Sequence, residues 1–198
     1  MRAPPICRLA TGSWQPLANL VRATDGRAPR LATRVALHDD GDRLRVRFDC
    51  DDPEPWAKIA ERDGDLWTEE VVELFVAPGL ATPRRYLELE LNPIGASFDA
   101  ELDSPHGDRR ALALDRTWTC DGLETMVGRW SGGWTAELAM PWRSLARGED
   151  PPADWRLNLF RIDRPGAGEP EFSAWSPTLV EPPEFHLPAR FGFLHRLG

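Results

Sequence analysis

Alternation is the dominant signal along this chain. Leu31, Thr33, Val35 and Leu37 alternate with Ala32, Arg34, Ala36 and His38. After a turn-forming aspartate and glycine run at 39–42, Leu44, Val46, Phe48 and Cys50 alternate with Arg43, Arg45, Arg47 and Asp49. Apolar residues recurring with a period of two predict a hairpin with one dry face and one arginine-rich wet face. The same period predicts strands over 71–76, 86–92 and 96–102, and a hairpin joining 124–130 to 134–140 through Ser131, Gly132 and Gly133. Further strands are predicted over 155–160 and 172–175, with a closing strand over 191–197. Val72, Leu74 and Val76 share one face, opposite Val71, Glu73 and Phe75. Leu87, Leu89 and Leu91 lie opposite Tyr86, Glu88, Glu90 and Asn92.

Helical signals are few. Pro141 opens a short helix over 141–145, where its fixed φ suits the first helical position. Pro53 and Pro55 make 51–66 a loop with at most one helical turn near 56–61. Residues 1–29 read as irregular, 103–117 as a polar loop and 165–190 as a proline-rich loop. No repeat and no linker interrupts the pattern. The prediction is one all-β domain over 1–198, an antiparallel β-sandwich or flattened barrel of immunoglobulin or jelly-roll kind with one or two short helices.

Composition narrows the function classes. Against 24 basic residues stand 32 acidic ones, a net charge of −8. This argues against a nucleic-acid or anionic-membrane partner, because binding a phosphate backbone needs a basic face. No apolar run approaches the ~20 residues of a membrane helix. The first twenty residues hold no apolar core of a secretory leader, so the sequence as it stands reads as cytoplasmic, and as exported only if the true N-terminus lies upstream. Cys7, Cys50 and Cys120 are scattered without zinc spacing. Cys50 ends an apolar face and reads as a buried thiol, and export would allow one disulfide. Lys58 is the sole lysine, which leaves little for Schiff-base chemistry.

Several constellations merit a chemical reading. Glu73, Glu88 and Glu90 fall on one face of neighbouring strands, where paired carboxylates serve glycoside hydrolysis. The stronger reading is that they are solvated or paired with Arg156 or Arg161. No G-x-S-x-G elbow and no histidine pair at metal spacing is present. Asp49, Asp51 and Asp52, or Asp63 and Asp65, are oxygen-rich enough for a calcium ion or simply for solvated turns. Met126 and Met140 admit a haem reading, with core packing as the plainer use. The aromatic pattern is the most suggestive. Trp67 precedes Glu73 by six residues, and Phe185-His186 sits in a late proline-rich loop, both placed at the end of the sandwich. A sugar ring offers an apolar face to aromatics and a fringe of hydroxyls to carboxylates. Hydrophobic plugs would use the same residues.

Six motifs in order carry a resemblance. The run WTEEVVELFV from Trp67 to Val76, the run YLELELNPIG from Tyr86 to Gly95, and GWTAELAMPW from Gly133 to Trp142 come first. WRLNLFR from Trp155, AWSP from Ala174 and FHLPARFG from Phe185 follow. Together they resemble the signature of family 9 carbohydrate-binding modules, in the branch of family 9-like bacterial proteins among the DOMON-like sandwiches. The resemblance implies a sandwich that binds sugar without cleaving it. Trp67 and Phe185 would flank the ring, and Glu73 would accept hydroxyl hydrogen bonds. His186, Tyr86, Glu88, Asn92 and Arg161 are further candidates. Two positions depart from the family pattern: Phe185 stands where the family has tryptophan, and Pro182 where it has an amide. These departures favour a rival, a structural or protein-interaction domain of DOMON type that has lost the sugar site; a haem- or metal-binding DOMON-like domain is a third reading. The partners implied are a carbohydrate ligand and an associated glycoside-processing enzyme. No cofactor is implied beyond the calcium candidate.

Overall fold

The computed structural model describes residues 3–165 and 168–197, and its strands form two sheets. The larger sheet runs in the order β1 (Ile6–Ala10), β14 (Gly192–Leu197), β12 (Asp154–Asp163), β6 (Val71–Pro78), β7 (Arg85–Leu91), β8 (Ser97–Asp103) and β9 (Ala113–Asp115). In addition β13 (Glu171–Ala174) pairs with both β12 and β3 (Val21–Arg22). The smaller sheet runs β10 (Glu124–Trp130), β11 (Gly133–Pro141), β5 (Arg43–Asp51), β4 (Thr33–Asp39) and β2 (Gln15–Pro16). The one α-helix among the described residues, α1, is Trp142–Leu145, and 3₁₀ turns form at Leu66–Thr68 and Pro188–Arg190. This is the β-sandwich that alternation predicts.

Two apolar layers hold it together. Between the sheets, Val72, Leu74, Val76, Leu87, Leu89, Leu91, Leu157 and Leu159 pack against Leu44, Val46, Phe48, Ala136 and Leu138. Each leucine fully removed from water contributes on the order of 1.5–3 kcal/mol. On the outer side of the larger sheet a second cluster forms. Val71, Phe75, Tyr86, Phe98, Leu102, Phe160 and Ile162 project from its strands, and Leu66, Phe185 and Phe191 descend on them from loops. The centre of the larger sheet is therefore dry on both faces.

The smaller sheet keeps the expected wet face. Arg45 pairs with Asp40 and Glu137, and Arg47 with Asp49. Where β11 meets β5, only glycine fits at 133: a Cβ there would stand 2.1 Å from the Cys50 carbonyl oxygen.

Several expectations need correcting. Residues 1–29 are not wholly irregular, since they contain β1, β2 and β3, and the polar loop 103–117 contains β9. Short edge strands carry too few alternations to register. No helical turn forms at 56–61. There Glu69 and Glu70 accept hydrogen bonds from the backbone of Trp56, Lys58 and Ile59 and hold the loop in an open course. Met126 is 60% exposed, not packed in the core, whereas Met140 is buried between the sheets. The cysteines are three buried free thiols.

Candidate functional site

The site is built on the outer face of β6 and β7. Antiparallel register sets Glu73 opposite Glu90 and Phe75 opposite Glu88. Because side chains alternate, each of these residues points away from the inter-sheet leucines. The 3₁₀ turn at Leu66–Thr68 delivers Trp67 beside them, and the chain after β13 folds back to add Pro183, Phe185 and His186. Together with Leu102, Leu112, Leu114, Arg109, Ile162, Arg164 and Phe172, they enclose a cavity of about 320 Å³. That is the lower end of the range for small-molecule sites, roughly 300–1,000 Å³. The sequence placed Trp67 and Phe185 at the end of the sandwich; the cavity instead lies over the face of the larger sheet.

Aromatic and acidic groups share this cavity. Trp67 is half-buried, meets Phe98 edge-to-face at 5.5 Å between ring centres, and lies 5.2 Å from the Arg116 guanidinium. The carboxylates of Glu73, Glu88 and Glu90 bring oxygen atoms within 4.8 Å of one another. Oε1 of Glu73 and both oxygens of Glu90 are buried without a hydrogen-bond partner. No ion pair reaches any of the three among the described residues. Burial, reinforced by Glu88, holds the Glu73 carboxyl well above the usual range. Burial, with Glu73 and Glu88 beside it, does the same to Glu90. Burial pushes Glu88 up to about 7, against the opposing effects of the adjacent Glu90 carboxyl and the nearby Arg109. Burial holds the His186 ring down to about 3, so it is neutral, and its Nδ1 lies 2.9 Å from the Tyr86 hydroxyl. Arg109 is anchored on Glu184 at 2.9 Å at the mouth, and Arg164 donates to the Trp67 carbonyl at 3.1 Å.

The predicted site residues divide. Trp67, Glu73, Glu88, Phe185 and His186 line the cavity together. Phe185 gives one ring face to Phe160, stacked at 4.1 Å with an 18° tilt, and is 7% exposed. Tyr86, Asn92 and Arg161 are not in the wall, and each has a structural reason. Tyr86 is fully buried behind His186 and Phe191. Asn92 secures the turn into β8: its side chain accepts from the Ile94 and Ala96 amides and donates to the Ile59 carbonyl. At that turn Gly95 takes φ +93°, which suits glycine.

Arg161 projects from the opposite face of β12 and does not pair with the glutamates. Its guanidinium reaches Asp52 at 2.9 Å, Asp163 at 3.4 Å, the Asp51 carbonyl and Thr33. Arg156 also stays away from the glutamates, lying over the Phe193 ring and donating to the Pro188 carbonyl. Arg34 holds Asp51, Arg62 holds Asp63 and Arg116 holds Asp65, so the aspartates considered for calcium carry arginine partners. Pro182 lies outside the wall and Pro183 within it. Sequence reasoning missed Arg109 and Arg164, which sit in segments without a usable period, and Phe172, whose strand over 172–175 it predicted without placing it at the site. It had grouped Glu90 with Glu73 and Glu88, and the structure keeps that group.

Comparison with known proteins agrees with this architecture. The family model for carbohydrate-binding family 9 matches residues 3–196. A relative described as an extracellular protein of Arthroderma benhamiae is 25% identical, with 79% of this chain and 75% of that one aligned. A candidate carbohydrate-binding protein from Bacteroides uniformis superposes with a TM-score of 0.75 at 17% identity, over 96% of this chain and 99% of its own. A family 9 module from Caldicellulosiruptor kristjanssonii, solved with cellotriose, superposes with a TM-score of 0.63 at 11% identity, over 98% and 94% of the two chains. The same kind of module solved with glucose gives 0.60. At these identities the superpositions speak to the fold. No helix among the described residues is long and apolar enough to cross a membrane.

Proposed function

This chain belongs to carbohydrate-binding family 9, a non-catalytic family, and from that premise we propose that its sugar site is the cavity on the outer face of the larger sheet. One observation carries the reading: a half-buried tryptophan and the buried Glu73 carboxyl, one oxygen of which has no partner, border the same sugar-sized space. Trp67 supplies the apolar platform for the C–H face of a pyranose ring. Glu73 and Glu88 receive hydroxyl donors, and the one on Glu73 satisfies an oxygen that burial otherwise leaves costly. Arg109, Arg164 and the N–H of neutral His186 supply donors for ring and hydroxyl oxygens. Phe185 closes the inner wall and does not act as a second free platform, because Phe160 covers one of its faces.

The ligand is a single terminal sugar unit rather than a long chain, given the small volume. The family 9 structures solved with glucose and cellotriose support a hexose. A glycoside-processing enzyme that shares the ligand is the natural partner. The Arthroderma benhamiae relative's description supports a site of action outside the cytoplasm, which cell fractionation with an antibody against this chain tests. No cofactor enters this reading.

The test is a tryptophan-fluorescence titration with a panel of monosaccharides, repeated on Trp67→Ala. A saturable change in the parent, lost in the variant while its circular dichroism is kept, is the expected result. Equal affinity in parent and variant would remove Trp67 from the site.

A further inference from the structure

Two trios of acidic side chains lie in this fold, each with oxygens within 4.8 Å of one another. Asp52, Glu70 and Asp163 form one, and Glu73, Glu88 and Glu90 the other. The first surrounds a cation that the chain itself provides, since Arg161 reaches into it to pair with Asp52 and Asp163. The second has no such partner. Its three members are 2%, 5% and 0% exposed, and three of its oxygens accept nothing. It also opens on one side: Glu73 and Glu88 line the cavity, with Glu90 behind them.

Placing three carboxyl groups in a dry site with no cation paired to them is costly, even with Arg109 and Arg164 in the cavity wall, and burial holds the carboxyls toward their protonated form instead. A ligand that brings a positive charge and several N–H donors relieves that cost, and a neutral hydroxyl relieves it only in part. The spacing suits an ammonium group. Three oxygens each about 2.8 Å from a tetrahedral nitrogen lie about 4.6 Å apart. The surroundings suit it too, because the Trp67 side chain lines the same space, and its ring already sits beside one cation, the Arg116 guanidinium. A calcium ion fits the spacing less completely. It takes about 6–8 oxygen ligands, whereas the oxygen-bearing side chains in the wall are Glu73 and Glu88, and the other polar ones are donors.

We propose that the sugar recognised in this cavity is an amino sugar, its free ammonium seated on Glu73 and Glu88 with Glu90 beneath. The proposal rests on the sugar-binding reading of the same cavity and narrows it to ligands with an unacylated amine. Arg164 then faces the uncharged edge of the ring, where its donors meet hydroxyl oxygens.

The experiment is isothermal titration of the full chain at pH 6.5 with glucosamine, galactosamine and mannosamine, each against its parent hexose and its N-acetyl form. Calcium chloride is titrated separately. The expected result is that at least one amino sugar binds tenfold or more tightly than its hexose, equivalent to about 1.4 kcal/mol. The N-acetyl form should lose that advantage, and Glu90→Gln should narrow the ratio. Equal binding of amine and hexose, or binding of the N-acetyl form as tight as that of the amine, overturns the proposal and leaves the sugar site standing. Saturable calcium binding that is lost in Glu90→Gln, with no preference for the amine, overturns it in favour of a metal site. Binding of none of the sugars overturns both readings.

Discussion

Replacing Glu88 by glutamine keeps the side chain's shape and removes one buried ionisable group. The effect can be worked from the environment of the carboxyl. Burial raises it from 4.5 to about 7. Each unit is worth about 1.4 kcal/mol, so ionising Glu88 in the folded protein costs about 3 kcal/mol more than in the unfolded chain. The sign follows from the direction of the shift. A carboxyl raised by folding contributes stability below about pH 4.5 and loses it as pH rises through about 7. Glu88→Gln should therefore match the parent near pH 5 and exceed it by about 3 kcal/mol at pH 9. For a chain of this size that is a rise in melting temperature of roughly 6–12 °C. The parent itself should lose stability between pH 6.5 and 9, because burial also raises Glu70 to about 8. Below pH 6.5 the opposite-signed His186 intervenes: its ring is held down to about 3, so its contribution fades as pH falls. Urea unfolding of both proteins at pH 5, 7 and 9 reads these differences directly. A pH-independent difference, or a variant less stable than the parent at pH 9, would refute the reasoning.

Further expectations concern the structural residues. Arg161→Met leaves Asp52, Asp163 and Glu70 without their shared cation and should cost about 3–5 kcal/mol in denaturant unfolding at pH 7; a cost under about 1 kcal/mol would mean the acidic trio is protonated with or without the arginine. Asn92→Ala removes a side chain that bonds three backbone groups and should cost about 1–3 kcal/mol, with sugar affinity unchanged in calorimetry. Gly133→Ala drives a Cβ to 2.1 Å from the Cys50 carbonyl, so soluble yield and melting temperature should both fall sharply, more than the ~1 kcal/mol typical of a point change. Normal melting of that variant would show that β11 can move away from β5.

The faces of the central strands were legible because alternation encodes them. Leu87, Leu89 and Leu91 enter the inter-sheet core as their spacing demands. What alternation could not encode is what covers the other face. A strand with Tyr86, Glu88 and Glu90 on one side reads as half-wet, yet residues 175–191 and the loop before β6 fold over it and bury all three. The glutamates therefore differ from ordinary solvated side chains for a tertiary reason. Arg161 illustrates the same limit. Its place one residue after Phe160 turns it to the opposite face, and only the fold shows that Asp52 waits there. Trp67, Glu73 and Phe185, singled out by motif spacing, line one cavity, whereas Arg109 and Arg164 in the same wall lie in loop and strand-end positions with no period to mark them.

The pairing of β1 with β14 bears on the order in which this protein is assembled. Ile6 aligns with Phe193 and Ala10 with Leu197, so β1 lies parallel to β14, which in turn rests on β12. Contacts of such long range are entropically expensive to form and come late. During synthesis β1 must wait, with its ladder unformed, until β14 emerges. Cys7 and Leu9, which that ladder buries, are exposed meanwhile to any chaperone or protease that scans nascent chains. A sandwich whose edge is sewn by β1 and β14 completes its larger sheet only once β14 has been made, and losing Gly192–Leu197 would leave β1 without a ladder to join.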